Sequence, residues 1–214
     1  METLSKSEDM LLKYKNHIIG AIVALLVIVA GYFVWKHFNT EAFQKASTAM
    51  AKAQEYYSDA VLSDDADLFN KALNGDSINA GFLTIANEHS GKAANLATLY
   101  AGICYARLGN MEEAAQWIKK FDADDEMVAP AALGALGNVQ AALGQLDEAV
   151  ATLTKAAAKA DNAALSPQFL VQAGEILESQ GKKAEALKLY EQAKKDYPEY
   201  TRYNTLDNYI ERVK

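Results

Sequence analysis

The residues able to do chemistry are few and poorly spaced for it. Histidine occurs only at His17, His37 and His89, and Cys104 is the single cysteine. A metal site needs several such ligands within a few positions of one another, and none of these has a second histidine or cysteine at that spacing. The acidic stretch "DADDE" at 122–126 has the carboxylate density of a calcium loop. Met127, however, stands where such a loop needs glycine for its turn, and no glutamate follows at the required distance. A solvated linker is the expected reading. Cys104 sits beside Tyr105 in an apolar stretch, where an inert, packed thiol is expected. His17 and His37 flank an apolar run and are expected at lipid headgroups, and His89 is expected on the surface near a helix end. No serine–histidine–acid set, phosphate loop or dinucleotide fingerprint occurs, so the chain reads as a non-enzyme without catalytic residues, cofactor or metal.

The elements that carry these residues are helical. Half of the 214 residues are hydrophobic and only three are proline, with alanine, leucine, lysine and glutamate dominant; the expected class is all-α. A net charge of −7 speaks against a nucleic-acid partner, which requires a basic face. One cysteine excludes an intramolecular disulfide.

One segment departs from this composition. "IIGAIVALLVIVAGYFVW", Ile18 to Trp35, passes eighteen residues without a charge. As a helix it covers about 27 Å, one hydrocarbon thickness. Tyr32 and Trp35 fall at its far end, where amphipathic rings favour the headgroup region. A cleaved signal peptide has a shorter core ending in small residues, whereas this one ends in the bulky "GYFVWKHF". The reading is a retained transmembrane signal-anchor helix at 18–37, behind a short polar tail at 1–17. Lys6, Lys13 and Lys15 precede the run, and Lys36 and Lys45 follow it, which favours a cytoplasmic N-terminus by a small margin. From Phe38 onward the chain carries 17 basic and 25 acidic residues, so the larger part is expected to project from an anionic bilayer.

The remainder repeats. Gly102, Gly109 and Ala114 recur 35 residues later as Gly137, Gly144 and Ala149, and 37 further on as Gly174, Gly181 and Ala186. The first glycine of each copy lies mid-helix, where it costs about 1 kcal/mol relative to alanine; close helix–helix approach is the expected reason. The second ends that helix in a tight turn, and the alanine five positions on faces back toward the first glycine. Large residues follow at helical spacing, as in Ile118 with Phe121 and Tyr190 with Ala193. Each copy is therefore a helical hairpin with one apolar face, which stacking covers. The hairpins are placed at about 95–128, 130–163 and 167–200, within a repeat region at 92–200. Upstream, 38–91 reads as a long helix, the polar connector "SDDADL" and an irregular first hairpin. Downstream, 201–214 reads as a capping helix with Tyr203, Leu206, Ile210 and Val213 on one face.

This pattern resembles the tetratricopeptide repeat, a 34-residue helix–turn–helix unit. The third copy fits best, through Ala173, Gly174, Leu177, Ala186, Tyr190, Ala193 and Pro198. The first has Phe121 where alanine is usual, and the second has Gln140 in place of an aromatic. The resemblance implies an inner groove lined by the first helix of each unit. Its lining is then Leu96, Leu99, Ile103, Ala106 and Arg107, next Ala131, Gly134, Asn138, Ala141 and Ala142, and finally Gln168, Val171, Glu175, Glu178 and Ser179. Glu175 and Glu178 speak against a groove that clamps a carboxylate; apolar or basic segments suit it better. The other reading of Leu96, Leu99 and Ile103 is that the upstream hairpin covers them.

The layout of tail, span, long helix, repeats and closing helix also resembles the bacterial YfgM-like family. That resemblance implies an inner-membrane protein with a periplasmic repeat domain, working as an ancillary subunit of the Sec translocon. Its implied partners are translocon subunits, a membrane-anchored periplasmic chaperone of the prolyl-isomerase type, unfolded client segments, and the lipid bilayer through residues 18–35. Two other classes fit the same features: a scaffold joining envelope proteins, and a cytosol-facing adaptor should the topology be reversed.

Overall fold

Each of the three repeats is closed by the same three-residue turn. In the computed structural model, which describes residues 27–33, 36, 40, 44–203 and 206–214, the Gly144 amide donates to the Ala141 carbonyl at 3.0 Å. The next amide, of Gln145, reaches back to Gln140 at 2.9 Å. This pair of bonds satisfies the last carbonyls of the helix and requires a left-handed residue between them. Gly144 supplies it, with φ of 75°. The same two bonds recur at Gly109 and at Gly181.

The chain divides into two compact units, residues 1–45 and 46–214. In the first, residues 27–33 are helical, and Val27, Ile28, Tyr32 and Phe33 are exposed. Among the described residues no helix is long and apolar enough to cross a membrane. Residues 18–26, Val34 and Trp35 of the expected span, like the tail at 1–17, lie outside the described residues.

The second unit is an all-helical stack. It opens with α1 (46–63), α2 (Ala66–Asn74) and α3 (Phe82–Glu88). Ala46, Met50, Ala53 and Ala60 recur at helical spacing along α1 and are buried. Only Asp64 and Asp65 separate α1 from α2, so the connector is shorter than "SDDADL" suggests. Asp65 caps α2 by accepting from the Asp67 amide at 2.8 Å. Between α2 and α3, the Asp76 carboxylate accepts from the Ile78 and Asn79 amides at 2.8 and 2.7 Å and from the Tyr56 hydroxyl. Tyr57, Phe69, Phe82 and Tyr100 pack ring to ring and join this region to the first repeat.

The repeats are α4 (Gly91–Arg107) with α5 (Met111–Ile118), α6 (Val128–Ala142) with α7 (Leu146–Ala160), and α8 (Ser166–Ser179) with α9 (Lys183–Asp196). The mid-helix glycines are where the paired helices meet. A methyl group placed on Gly102 comes within 2.5 Å of Ile118 Cγ1; on Gly137 it meets Leu153 Cγ at 2.7 Å, and on Gly174 it meets Tyr190 Cε1 at 2.3 Å. Ala114, Ala149 and Ala186 are fully buried opposite them. In each copy the absent side chain makes room for one large side chain of the second helix.

The first repeat departs from the others. α5 has eight residues against 15 in α7 and 14 in α9, and ends at Ile118. Phe121 therefore stands in the linker at 119–127 rather than on the helix. Asn95 holds this linker by exchanging hydrogen bonds with the Asp122 backbone, and Asp125 caps α6 by accepting from the Met127 and Val128 amides. The stack ends with α10 (Pro198–Tyr203) and α11 (Leu206–Val213). Leu206, Ile210 and Val213 are buried in the core shared by α7, α8 and α9. The Tyr203 side chain lies outside the described residues.

Candidate protein-interaction groove

The first helices of the first two repeats face each other across a cleft of about 350 Å³. Ile103, Ala106 and Arg107 contribute from α4, one stripe at i, i+3 and i+4. Ala135, Asn138, Val139 and Ala142 contribute from α6, again one stripe, and Met111 and Ile118 of α5 complete the lining. The structure thus brings together five of the inner positions expected from the repeat pattern: Ile103, Ala106, Arg107, Asn138 and Ala142.

The remaining expected positions are placed differently. Leu96 is half-buried between two core clusters. Leu99 is 5% exposed and packs with Ile118, Ala132 and Val139, so it is core and not groove surface; α5 and the second repeat cover it, where the upstream hairpin was the expected cover. Val171 is likewise buried among α8 and its neighbours. Gly134 is closed off because the Phe169 ring of α8 fills its place, at 2.2 Å from a methyl built there. Glu175 is exposed, and its negative charge is the main cause that pushes the Tyr209 phenol up. Glu178 is engaged by α11: Arg212 grips both carboxylate oxygens at 2.7 and 2.8 Å, and the Tyr190 hydroxyl donates to it at 3.2 Å. The Arg212 hydrogen bond is the main cause that holds the Glu178 carboxyl below its usual range. Burial, then the bond to Glu178, pushes the Tyr190 phenol up.

The electrostatics of the cleft are simple. α6 carries no ionisable side chain over its 15 residues, so the central wall of the groove is neutral. Arg107 is exposed at one side, its guanidinium 5.9 Å from the centre of the Phe69 ring, and it has no carboxylate partner among the described residues. Asn138 is exposed on the opposite wall. Met111, Ile118, Ala135 and Val139 were missed by counting repeat positions; the i, i+3, i+4, i+7 stripe of α6, 135–138–139–142, is the sequence signal that carries the last two.

The groups singled out for chemistry have structural duties. Cys104 is fully buried, and burial pushes its thiol up to about 12. Asp124 meets Lys159 at 3.4 Å, while Asp125 serves the α6 cap and is held below the usual carboxylate range chiefly by the Val128 amide. His89 follows the last residue of α3, and His17 and His37 lie outside the described residues. Among the described residues no group of three or more His, Cys, Asp or Glu side chains is placed to hold a metal ion.

A family model described as a tetratricopeptide repeat-like domain matches residues 11–212. No curated protein matches the chain. Among solved structures, the MamA protein is similar with a TM-score of 0.54 at 17% identity, covering 78% of this chain and 80% of that one. The nearly identical TPR-like repeats of a Podosopora anserina kinesin light chain give a TM-score of 0.52 at 13% identity, over 79% of this chain and 93% of theirs. At such identities the likeness concerns the fold alone.

Proposed function

The chain belongs to the tetratricopeptide repeat-like domain family, typically non-catalytic protein-interaction scaffolds, and on that premise we propose that it is a membrane-anchored binding module. Its repeat unit holds exposed protein segments in the α4–α6 cleft. The observation that carries this reading is the neutral α6 wall facing an apolar cleft, a surface that excludes no apolar segment by charge.

The anchor and its address belong to the same proposal. The charge-free run at 18–35 supports a single span, and the tail–span–repeat layout, which resembles the YfgM-like family, supports a bacterial inner-membrane protein with the repeats in the periplasm. There it serves as an ancillary subunit of the Sec translocon beside a periplasmic chaperone. The tether raises the local concentration of groove around emerging chains, so weak contacts suffice for transient shielding.

Site-specific photocrosslinking tests this reading. A photoreactive residue at Asn138 is expected to capture secretory chains arrested during translocation, and Ile103→Asp is expected to remove the adducts. Adducts unaffected by Ile103→Asp, with partners retained, transfer the function to a scaffold acting through another face. A reporter after Lys214 that is active only in the cytoplasm overturns the periplasmic assignment.

A further inference from the structure

We propose that the molecule carries a second binding site, in a cavity bordered by the end of α5, the linker after it, α6 and α7, for a small amphipathic monocarboxylate: a medium-chain fatty-acid anion of about eight carbons. The site is separate from the α4–α6 cleft and does not depend on it.

Three observations carry it. A cavity of about 340 Å³ opens where α5 ends early, bordered by Ile118, the last residue of that helix, and by the linker that follows. Much of its lining is apolar, with Phe121 from the linker and Ala132, Leu133 and Leu136 from α6. The cleft takes a different stripe of α6, through Asn138, Val139 and Ala142, and Ile118 alone borders both. Lysines complete the lining: Lys155 and Lys159, one turn apart on α7, and Lys119 at the end of α5. Lys159 meets the fully exposed Asp124 at 3.4 Å, whereas Lys119 and Lys155 have no carboxylate partner among the described residues.

Volume and charge define the occupant. At about 30 Å³ per heavy atom the cavity holds about ten, the size of octanoate. The apolar lining suits the hydrocarbon chain, and the methylene stems of the lysines extend that wall up to their charged tips. Asp122 and Asp124 share the lining, so three cations against two carboxylates leave one positive charge in surplus. That balance suits a singly charged head and disfavours a doubly charged one. An alcohol of the same length forfeits the pairing, and an amine meets the two unpartnered lysines with like charge.

The test uses the full chain in nanodiscs of zwitterionic lipid, with 4-fluorophenylalanine in place of phenylalanine. The Phe121 fluorine resonance is assigned by its loss in Phe121→Leu. Titration with octanoate is expected to shift that resonance saturably, and octan-1-ol and octylamine at the same concentrations are expected to shift it far less. The double variant Lys119→Glu/Lys155→Glu is expected to raise the half-saturating octanoate concentration about ten-fold, and raising salt is expected to weaken binding to the wild type. Lys119→Gln/Lys155→Gln, expected to weaken binding about three-fold, keeps the comparison should charge reversal disturb the fold. Partition of octanoate into the lipid is common to all variants and cancels between them. Ile103→Asp, placed in the cleft, is expected to leave the titration unchanged, so failure of the cleft and failure of this site are read separately. The absence of a saturable shift at Phe121 overturns the site. An equal response to octan-1-ol, a stronger one to octylamine, or octanoate binding indifferent to both lysine variants overturns the anion as its occupant.

Discussion

Replacing Gly174 by alanine tests how the hairpins are held together. On an ordinary helix the change stabilises by about 1 kcal/mol, because glycine gives up more backbone freedom. Here the new methyl lands 2.3 Å from Tyr190 Cε1 and 2.8 Å from Cζ, so a ring that is fully buried must move by about 1 Å to restore ordinary contact. Its hydroxyl is tied to Glu178 at 3.2 Å, and its ring lies tilted against that of Tyr209 with centroids 5.3 Å apart. Overpacking of this kind costs about 1–3 kcal/mol, and stretching a hydrogen bond to a carboxylate adds about 1 kcal/mol. After the helical gain the net loss is about 2 kcal/mol, or roughly 4–8 °C in Tm for a protein of this size. Urea denaturation followed by far-ultraviolet circular dichroism reads the change. The decisive comparison is made in a Tyr190→Leu background, where the ring is gone: Gly174→Ala should there be neutral or stabilising. The same penalty in both backgrounds refutes the contact as its cause.

Gly109→Ala isolates backbone strain, because φ is 83° there and nothing lies within 4 Å of a new methyl. A loss of about 1–2 kcal/mol is expected in urea, with Gly109→Asn losing less; equal losses contradict a left-handed requirement. Cys104, buried with its thiol pushed up to about 12, should react with a maleimide at least about a hundred-fold more slowly in the native protein than in urea, and fast native labelling refutes that environment. The Tyr56 hydroxyl, followed by the Ile78 and Asn79 amides, holds Asp76 well below the usual carboxylate range. Its stabilising contribution is therefore fully present above the unfolded value near about 4 and is lost as pH falls toward the lower folded value. The urea midpoints of the wild type and Asp76→Ala should accordingly differ at neutral pH and converge on acidification; a gap that stays constant to about pH 2 contradicts the assignment. Limited proteolysis should cut first within 119–127, where the eight-residue α5 leaves linker instead of helix, and first cleavage between α6 and α7 argues against it.

What the sequence disclosed and what it hid follow from the range of the interactions. Gly102, Gly137 and Gly174 mark close approach, and Gly109, Gly144 and Gly181 mark left-handed turns, because each is set by residues within one hairpin. The early end of α5 was hidden: Phe121 keeps helical spacing with Ile118, and nothing local announces that Asn95, 27 residues upstream, takes hold of the Asp122 backbone instead. Leu99 and Val171 sit at inner positions by count, yet periodicity gives a residue's face and not the neighbour that covers it. Glu178 reads as a groove acid until Arg212, 34 residues away, is seen to grip it. Phe169 filling the space over Gly134 is a relation between repeats, which pattern within one repeat does not encode.

The matching three-residue turns bear on how the molecule acquires its shape. Closing so short a loop costs little entropy, so each hairpin can form from neighbouring residues before the next is present. Most contacts then have low sequence separation, the condition under which chains fold quickly. The aromatic cluster is the exception: it joins Tyr57 to Tyr100, more than forty residues apart, and must wait for α4. A chain delivered from its N-terminus therefore completes its repeats in order of arrival, and α11 seals the exposed end when Arg212 finally reaches Glu178.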